Sequence, residues 1–241
     1  MKNLTEIAKK YGTDKVEHGY TQIYEQLFSP NRNKNIKILE LGVGDYGASV
    51  KTWREYFPNA DVYMFDPFFI KSQIVTEEEL QNKNIKTIRG NQLSRDDLHA
   101  AAENGPFDII IDDASHINDG IMLSLGVLFK SLVSGGLYIV EDLACATDRS
   151  SRLQDVNEWI DSDVVDKSSD VKIIYHQPEF HIRDGCVRHF MTTGKWKSRI
   201  LSEEEGDYII NNVRAIDFQS HHNMIIFQKK INDIQPPEKE A

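Results

Sequence analysis

The stretch IKILELGVGDYGAS, residues 36–49, decides how the chain is read. Its first half is a short β-rich run ending at glycine, and its second half sets Gly42, Gly44 and Gly47 in the spacing G-x-G-x-x-G. Glycine lets the backbone turn tightly there and lets a ligand approach without meeting a Cβ. The spacing alone is a weak signal, because a tight strand-to-helix turn with no ligand satisfies it equally. The segment after the turn is helical: in GASVKTWREYFPNA (47–60), Val50, Trp53, Tyr56 and Phe57 fall near helical spacing and Pro58 closes the segment.

Downstream, the same alternation continues. DVYMFDP (61–67), IKTIRGN (85–91) and FDIIIDD (107–113) read as strands, and SRDDLHAAAENG (94–105) as a helix with a Ser94 and Asp97 capping pattern. A helix is expected over GIMLSLGVLFKSLV (120–133), stopped by SGG, with LYIVED (137–142) as the fifth strand. Strands alternating with helices predict an α/β fold, a doubly wound Rossmann-like sheet. After Asp142 the chain turns polar, and a substrate-lid insertion is expected at about 145–210. VKIIYH (171–176) and CVRHFMTTG (186–194) are further apolar runs, and VRAIDFQSHHNMIIFQKK (213–230) reads as an antiparallel hairpin at the sheet edge. The expected whole is a seven-stranded, mostly parallel sheet with an antiparallel C-terminal hairpin. Residues 1–30 form a helical entry segment or lid, 31–232 the main domain, and 233–241 a disordered tail.

Composition narrows the partners. The 241 residues carry a formal net charge of -10, which disfavours binding to a phosphate backbone, since that relies on clustered Lys and Arg. No stretch approaches the ~20 apolar residues that span a bilayer, so no membrane partner is expected and a cytoplasmic location is. Cys145 and Cys186 lie too far apart for a metal knuckle or a CxxC pair. Zinc at the His221 and His222 pair or at HFMTTGKW (189–196) is disfavoured, because adjacent histidines diverge on a strand.

The acids around the glycine turn choose between ligands. Asp66 ends the second strand about 20 residues on, where a carboxylate can accept bonds from ribose hydroxyls. Glu40 precedes the first glycine. A fixed negative charge there is unfavourable beside a diphosphate and suits S-adenosylmethionine, which has no phosphate and carries an ammonium and a sulfonium. Gln92 is expected on the adenine side, and Ser49 either caps the helix or contacts the cofactor carboxylate.

In an open parallel sheet the carboxyl ends of the strands form the ligand crevice. IIIDD puts Asp112 and Asp113 at one strand end, and YIVED puts Glu141 and Asp142 at the next. Asp112 is expected to face the cofactor. Four converging carboxylates repel one another unless a cation sits among them. With no lysine near either strand end in sequence, a hard divalent cation, Mg2+, is the expected partner. A single aspartate at a strand end also commonly caps a helix, and Ser115 suits a cap or turn.

ILELGVG, MFDP, GNQ and IIDDASH together resemble the class I S-adenosylmethionine-dependent methyltransferases, and more closely the macrocin and mycinamicin type of sugar O-methyltransferase. The entry segment YGTDKVEHGYTQIYEQLF (11–28) and the helix at 47–60 share the likeness, whereas 150–210 match poorly. The resemblance implies that Asp113, Glu141 and Asp142 hold the metal, that His116 is the general base, and that His18, Tyr20 and Tyr24 close over the cofactor. Tyr20 and Tyr24, at i and i+4, equally suit helix packing. It also implies contacts between subunits of a homo-oligomer. The activity so implied is Mg2+-dependent transfer of a methyl group from S-adenosylmethionine to a hydroxyl of a sugar or glycoside. His116 or Asp113 would take the proton. A polyketide or catechol hydroxyl would satisfy the same metal logic, and a noncatalytic S-adenosylmethionine-binding protein would need only the sheet.

Overall fold

The apolar runs pair as a computed structural model describes them, over residues 2–68, 74–116, 118–142, 172–175, 200–219 and 224–231. Strands β1 (Lys37–Leu41), β2 (Asp61–Asp66), β3 (Ile85–Arg89), β4 (Phe107–Asp112) and β5 (Leu132–Val140) are parallel, and β8 (Met224–Lys229) runs antiparallel to both β5 and β7 (Val213–Gln219). The sheet order is β3-β2-β1-β4-β5-β8-β7-β6. This is the expected doubly wound sheet with its antiparallel C-terminal hairpin, extended by the short β6 (Lys172–Tyr175), parallel to β7.

Period-two alternation sorts the side chains onto two layers. Leu39, Leu41, Phe65, Ile110 and Tyr138 face one cluster with Leu98 of α5 (Arg95–Ala102), Leu125 of α6 (Asn118–Leu128) and Ile209 of α7 (Glu203–Asn212). Ile38, Val62, Met64, Ile109 and Ile111 face the other, with Ile7 of α1 (Leu4–Tyr11), Tyr20, Tyr24 and Phe28 of α2 (Tyr20–Phe28) and Trp53 of α3 (Ala48–Tyr56). Helices α1 and α2 thus pack into the sheet's own core. Glu40 on β1 is fully buried and accepts from Ser49 Oγ of α3.

The expected Ser94 cap forms, its side chain accepting from Asp97 N at the start of α5, whereas Ser49 does not cap α3, whose N-cap is Gly47. Around α6 the expectation needs correction. The helix stops at Leu128, and SGG lies inside β5 rather than ending the helix. A register shift in β4 between Phe107 and Ile109 meets these glycines, where a Cβ on Gly136 would lie 3.0 Å from Val133 O and 3.1 Å from Asp108 O. Glycine there marks close backbone approach at a bulge, not a helix stop. Among the described residues, two helices add to the expected set. One is α4 (Glu77–Asn82), capped by Thr76; the other is α7, opened by a Ser202/Glu205 capping box. Cys145, Cys186, His221, His222, HFMTTGKW, the tail, and most of the expected lid lie outside the described residues.

Candidate active site

The sheet order reverses at β1, which lies between β2 and β4, and a crevice opens there at the strand ends. A cavity of 560 Å³ fills it, lined by Gly42, Gly44, Ser49, Asp66, Gln92, Asp113, His116 and Asp142 among others. Gly42, Gly44 and Gly47 all have positive φ, at 92°, 58° and 60°. Beyond Gly44 a Cβ would meet nothing within 4 Å, so this turn leaves its space to the cavity. Asp66 braces the turn, accepting from Val43 N at 3.0 Å and Phe68 N at 2.6 Å.

At the cavity mouth the ends of β4 and β5 bring Asp113, His116 and Asp142 together, with one ligand atom from each within 4.8 Å of the others. His116 Nε2 lies 3.8 Å from both Asp113 Oδ1 and Asp142 Oδ2. His116 and Asp142 adopt φ of 52° and 54°. Non-glycine residues in the left-handed region store strain of about 1–3 kcal/mol and cluster at functional sites.

Glu141 points elsewhere. It is buried; Tyr24 Oη donates to its Oε1 and Lys15 Nζ to its Oε2 at 2.6 Å. Lys15 also donates to Asp113 Oδ2 at 2.5 Å and lies 3.5 Å from Glu40 Oε1. The expectation that no lysine joins the carboxylates therefore fails. The cation comes from a 3₁₀ turn, Asp14–Val16, far away in sequence, so proximity to the strand ends was the wrong criterion. Burial alone would lower the Lys15 pKa, but Asp113, Glu141 and Glu40 together hold it well above its usual value. Burial pushes Glu141 well above the carboxylate range against the pull of Lys15. Glu40 rises to about 7, driven by burial and opposed by Lys15.

Five residues expected at the cofactor, Glu40, Asp112, His18, Tyr20 and Tyr24, lie outside the cavity lining, and Glu40 is fully buried beneath it. Asp112 is buried, accepting from Gln92 Nε2 at 2.7 Å and Tyr138 Oη at 3.0 Å, and from Ser124 Oγ. Burial raises its pKa to about 6, against those hydrogen bonds. A carboxylate so fully partnered braces β4 against β5 and α6 instead of facing a ligand. Tyr20 Oη donates to Asp142 Oδ1 at 2.5 Å, so its polar end serves the rim. Gln92 lines the cavity, but its Oε1 accepts from Ser115 N at 3.0 Å and Ser115 Oγ at 2.6 Å.

Sequence reasoning missed Lys15, and it missed Thr13 and Asp14, which line the cavity. All three fall in the YGTDK of the entry segment, a charged pair in a short break between two amphipathic helices.

The 2''-O-methyltransferase for mycinamicin VI of Micromonospora griseorubida and the demethylmacrocin O-methyltransferase of Streptomyces fradiae are each 35% identical to the chain. Each alignment covers 58% of this chain, and the chain spans 36% of the relative's length. The MycE methyltransferase of the mycinamycin biosynthetic pathway, solved with Mg, SAH and mycinamycin VI, superposes with a TM-score of 0.64 at 26% identity. That superposition covers 98% of this chain and 57% of MycE. This is a class I methyltransferase fold. In sequence the chain resembles the macrocin and mycinamicin type of sugar O-methyltransferase, as the motifs implied. No family model matches it. Within the class I fold, the glycine turn after β1 and the Asp113, His116 and Asp142 group after β4 and β5 flank the sheet reversal and line one cavity.

Proposed function

We propose that the protein transfers a methyl group from S-adenosylmethionine to a hydroxyl of a sugar or glycosylated small molecule, with Mg2+ assisting. The observation that carries this reading is one cavity, glycine-walled at one end and bounded by Asp113, His116 and Asp142 at the other. Its 560 Å³ volume falls within the range of about 300–1,000 Å³ common for small-molecule sites. The relatives' names, sugar-modifying O-methyltransferases, and the Mg and SAH bound to MycE support the choice of donor, metal and acceptor.

The residues present fit both groups. At the turn Gly44 leaves open space where a Cβ would stand, and Asp66 stands at the end of β2, where ribose hydroxyls would be received. Asp113 and Asp142 offer hard oxygen ligands at the other end, and Glu141, whose two oxygens Lys15 and Tyr24 occupy, stands behind them. When bound, S-adenosylmethionine supplies an electrophilic methyl and Mg2+ supplies Lewis acidity that makes a nearby hydroxyl more acidic. His116 Nε2, 3.8 Å from both carboxylates, would accept the proton of the acceptor hydroxyl. Tyr20 steadies Asp142, and Lys15 steadies Asp113.

The test is mass spectrometry of sugars and glycosides incubated with the protein, S-adenosylmethionine and Mg2+. A mass gain of one methyl per modified hydroxyl, abolished by chelator, is expected. Methylation of catechols or polyketides but of no sugar would move the acceptor class, and no methylation of any hydroxyl would sink the reading.

A further inference from the structure

The geometry points to Lys15 as a positioning residue that limits how tightly the rim holds a divalent cation and keeps Asp113 aimed into the cavity. This inference rests on the metal-assisted reading of the site. The Lys15 side chain is only 2% exposed, and its ammonium sits among three carboxylates, 2.5 Å from Asp113 Oδ2, 2.6 Å from Glu141 Oε2 and 3.5 Å from Glu40 Oε1. Asp113 is thereby shared: Oδ2 faces the ammonium, while Oδ1 faces His116 at 3.8 Å. Glu141 is engaged at both oxygens, Oε2 by Lys15 and Oε1 by Tyr24, and does not line the cavity.

A buried positive charge touching one ligand of a divalent cation acts in two ways. It fixes the carboxylate's rotation, and it opposes the cation through a medium of low dielectric, where charges a few ångströms apart interact by several kcal/mol even at an effective dielectric of about 20. Three acids without the lysine would form a deeper and stronger cation trap that need not be the productive one. With it, the residues left to hold a cation would be Asp113 and Asp142, beside His116. The same turn carries Thr13 and Asp14 into the cavity wall, so Lys15 also ties that wall to the rim.

Two variants separate this role from a merely structural one: Lys15→Met, and the charge-balanced Lys15→Met/Glu141→Gln, which remains informative if the single variant does not fold. Binding of Mg2+ alone is measured by calorimetry, and methyl transfer is measured separately. Loss of the opposing charge should tighten Mg2+ binding about tenfold or more in the single variant. A smaller tightening, at least about threefold, is expected in the double variant, while turnover falls in both. Lys15→Arg, which keeps the charge, should stay within about threefold of the parent Kd. Mg2+ binding that is unchanged or weaker in the variants that fold would overturn the role of Lys15 and leave the metal-assisted reading standing. Failure of the unaltered protein to bind Mg2+ would overturn both.

Discussion

Gly42 packs against Asp113 so closely that a Cβ on the glycine would overlap the aspartate's carbonyl oxygen. The donor turn and the rim loop thus share one backbone contact, made where Gly42 has a φ of 92°. Gly44 has a comparable positive φ of 58° but open space beyond it.

The two glycines should therefore fail differently. Gly42→Ala must move the β4 end or abandon its conformation, and a loss of about 3 kcal/mol or more is expected, seen as a lowered Tm. Gly44→Ala should cost about 1–2 kcal/mol, with S-adenosylmethionine affinity falling far more than stability. Equal stability losses in thermal melts would contradict this distinction.

His116→Asn removes the proton acceptor while keeping a residue type that tolerates the left-handed backbone. Methyl transfer should drop by roughly 10²–10⁴-fold, with donor affinity by calorimetry within a few-fold of the original. Near-normal turnover would pass the role of base to Asp113.

Tyr24→Phe deletes the hydroxyl that serves Glu141 Oε1 in the buried layer. Leaving that oxygen without its donor should cost about 1–3 kcal/mol, measured by denaturant unfolding. No loss would mean that the carboxyl finds another partner.

Glu40 supplies a pH signature. Its folded pKa of about 7 lies above the ordinary value of 4.5 because the group is buried. The folded state therefore holds this proton more tightly than the unfolded chain, and the associated stability is present below about pH 4.5 and lost as pH rises through about 7. Glu40→Gln cannot titrate, so the stability difference, variant minus parent, should grow from pH 4.5 to 7 and level off at higher pH. A flat difference in urea titrations across that window would contradict the raised pKa.

Much of the fold was legible because its signals are local. The run at 36–42, the strand at 107–113 and the Ser94 cap each declare themselves within a few residues, and the hairpin at 213–230 is read from its two apolar runs. The misreadings came where tertiary packing overrides local punctuation, as at Gly135 and Gly136, which lie inside a strand. In the site, strand-end acids could be read from the chain, since parallel strands gather their carboxyl ends. Which of them faces the cavity could not. Neighbours in sequence, Asp112 and Asp113 point into different surroundings, and so do Glu141 and Asp142; Asp113, Glu141 and Asp142 lie past the strand ends, where Asp142 has a φ of 54° and period-two alternation no longer sets direction. Lys15 was invisible because its partners are 98 and 126 residues away.

Lys15, Tyr24 and Tyr20, the donors to Asp113, Glu141 and Asp142, all come from one segment near the amino terminus. This bears on protein engineering. A chimera that grafts the sheet of this chain onto the leading segment of another methyltransferase would inherit acids without their matched hydroxyls and ammonium. Acceptor-swapping experiments should therefore exchange the first 28 residues together with the strand-end loops, as one unit.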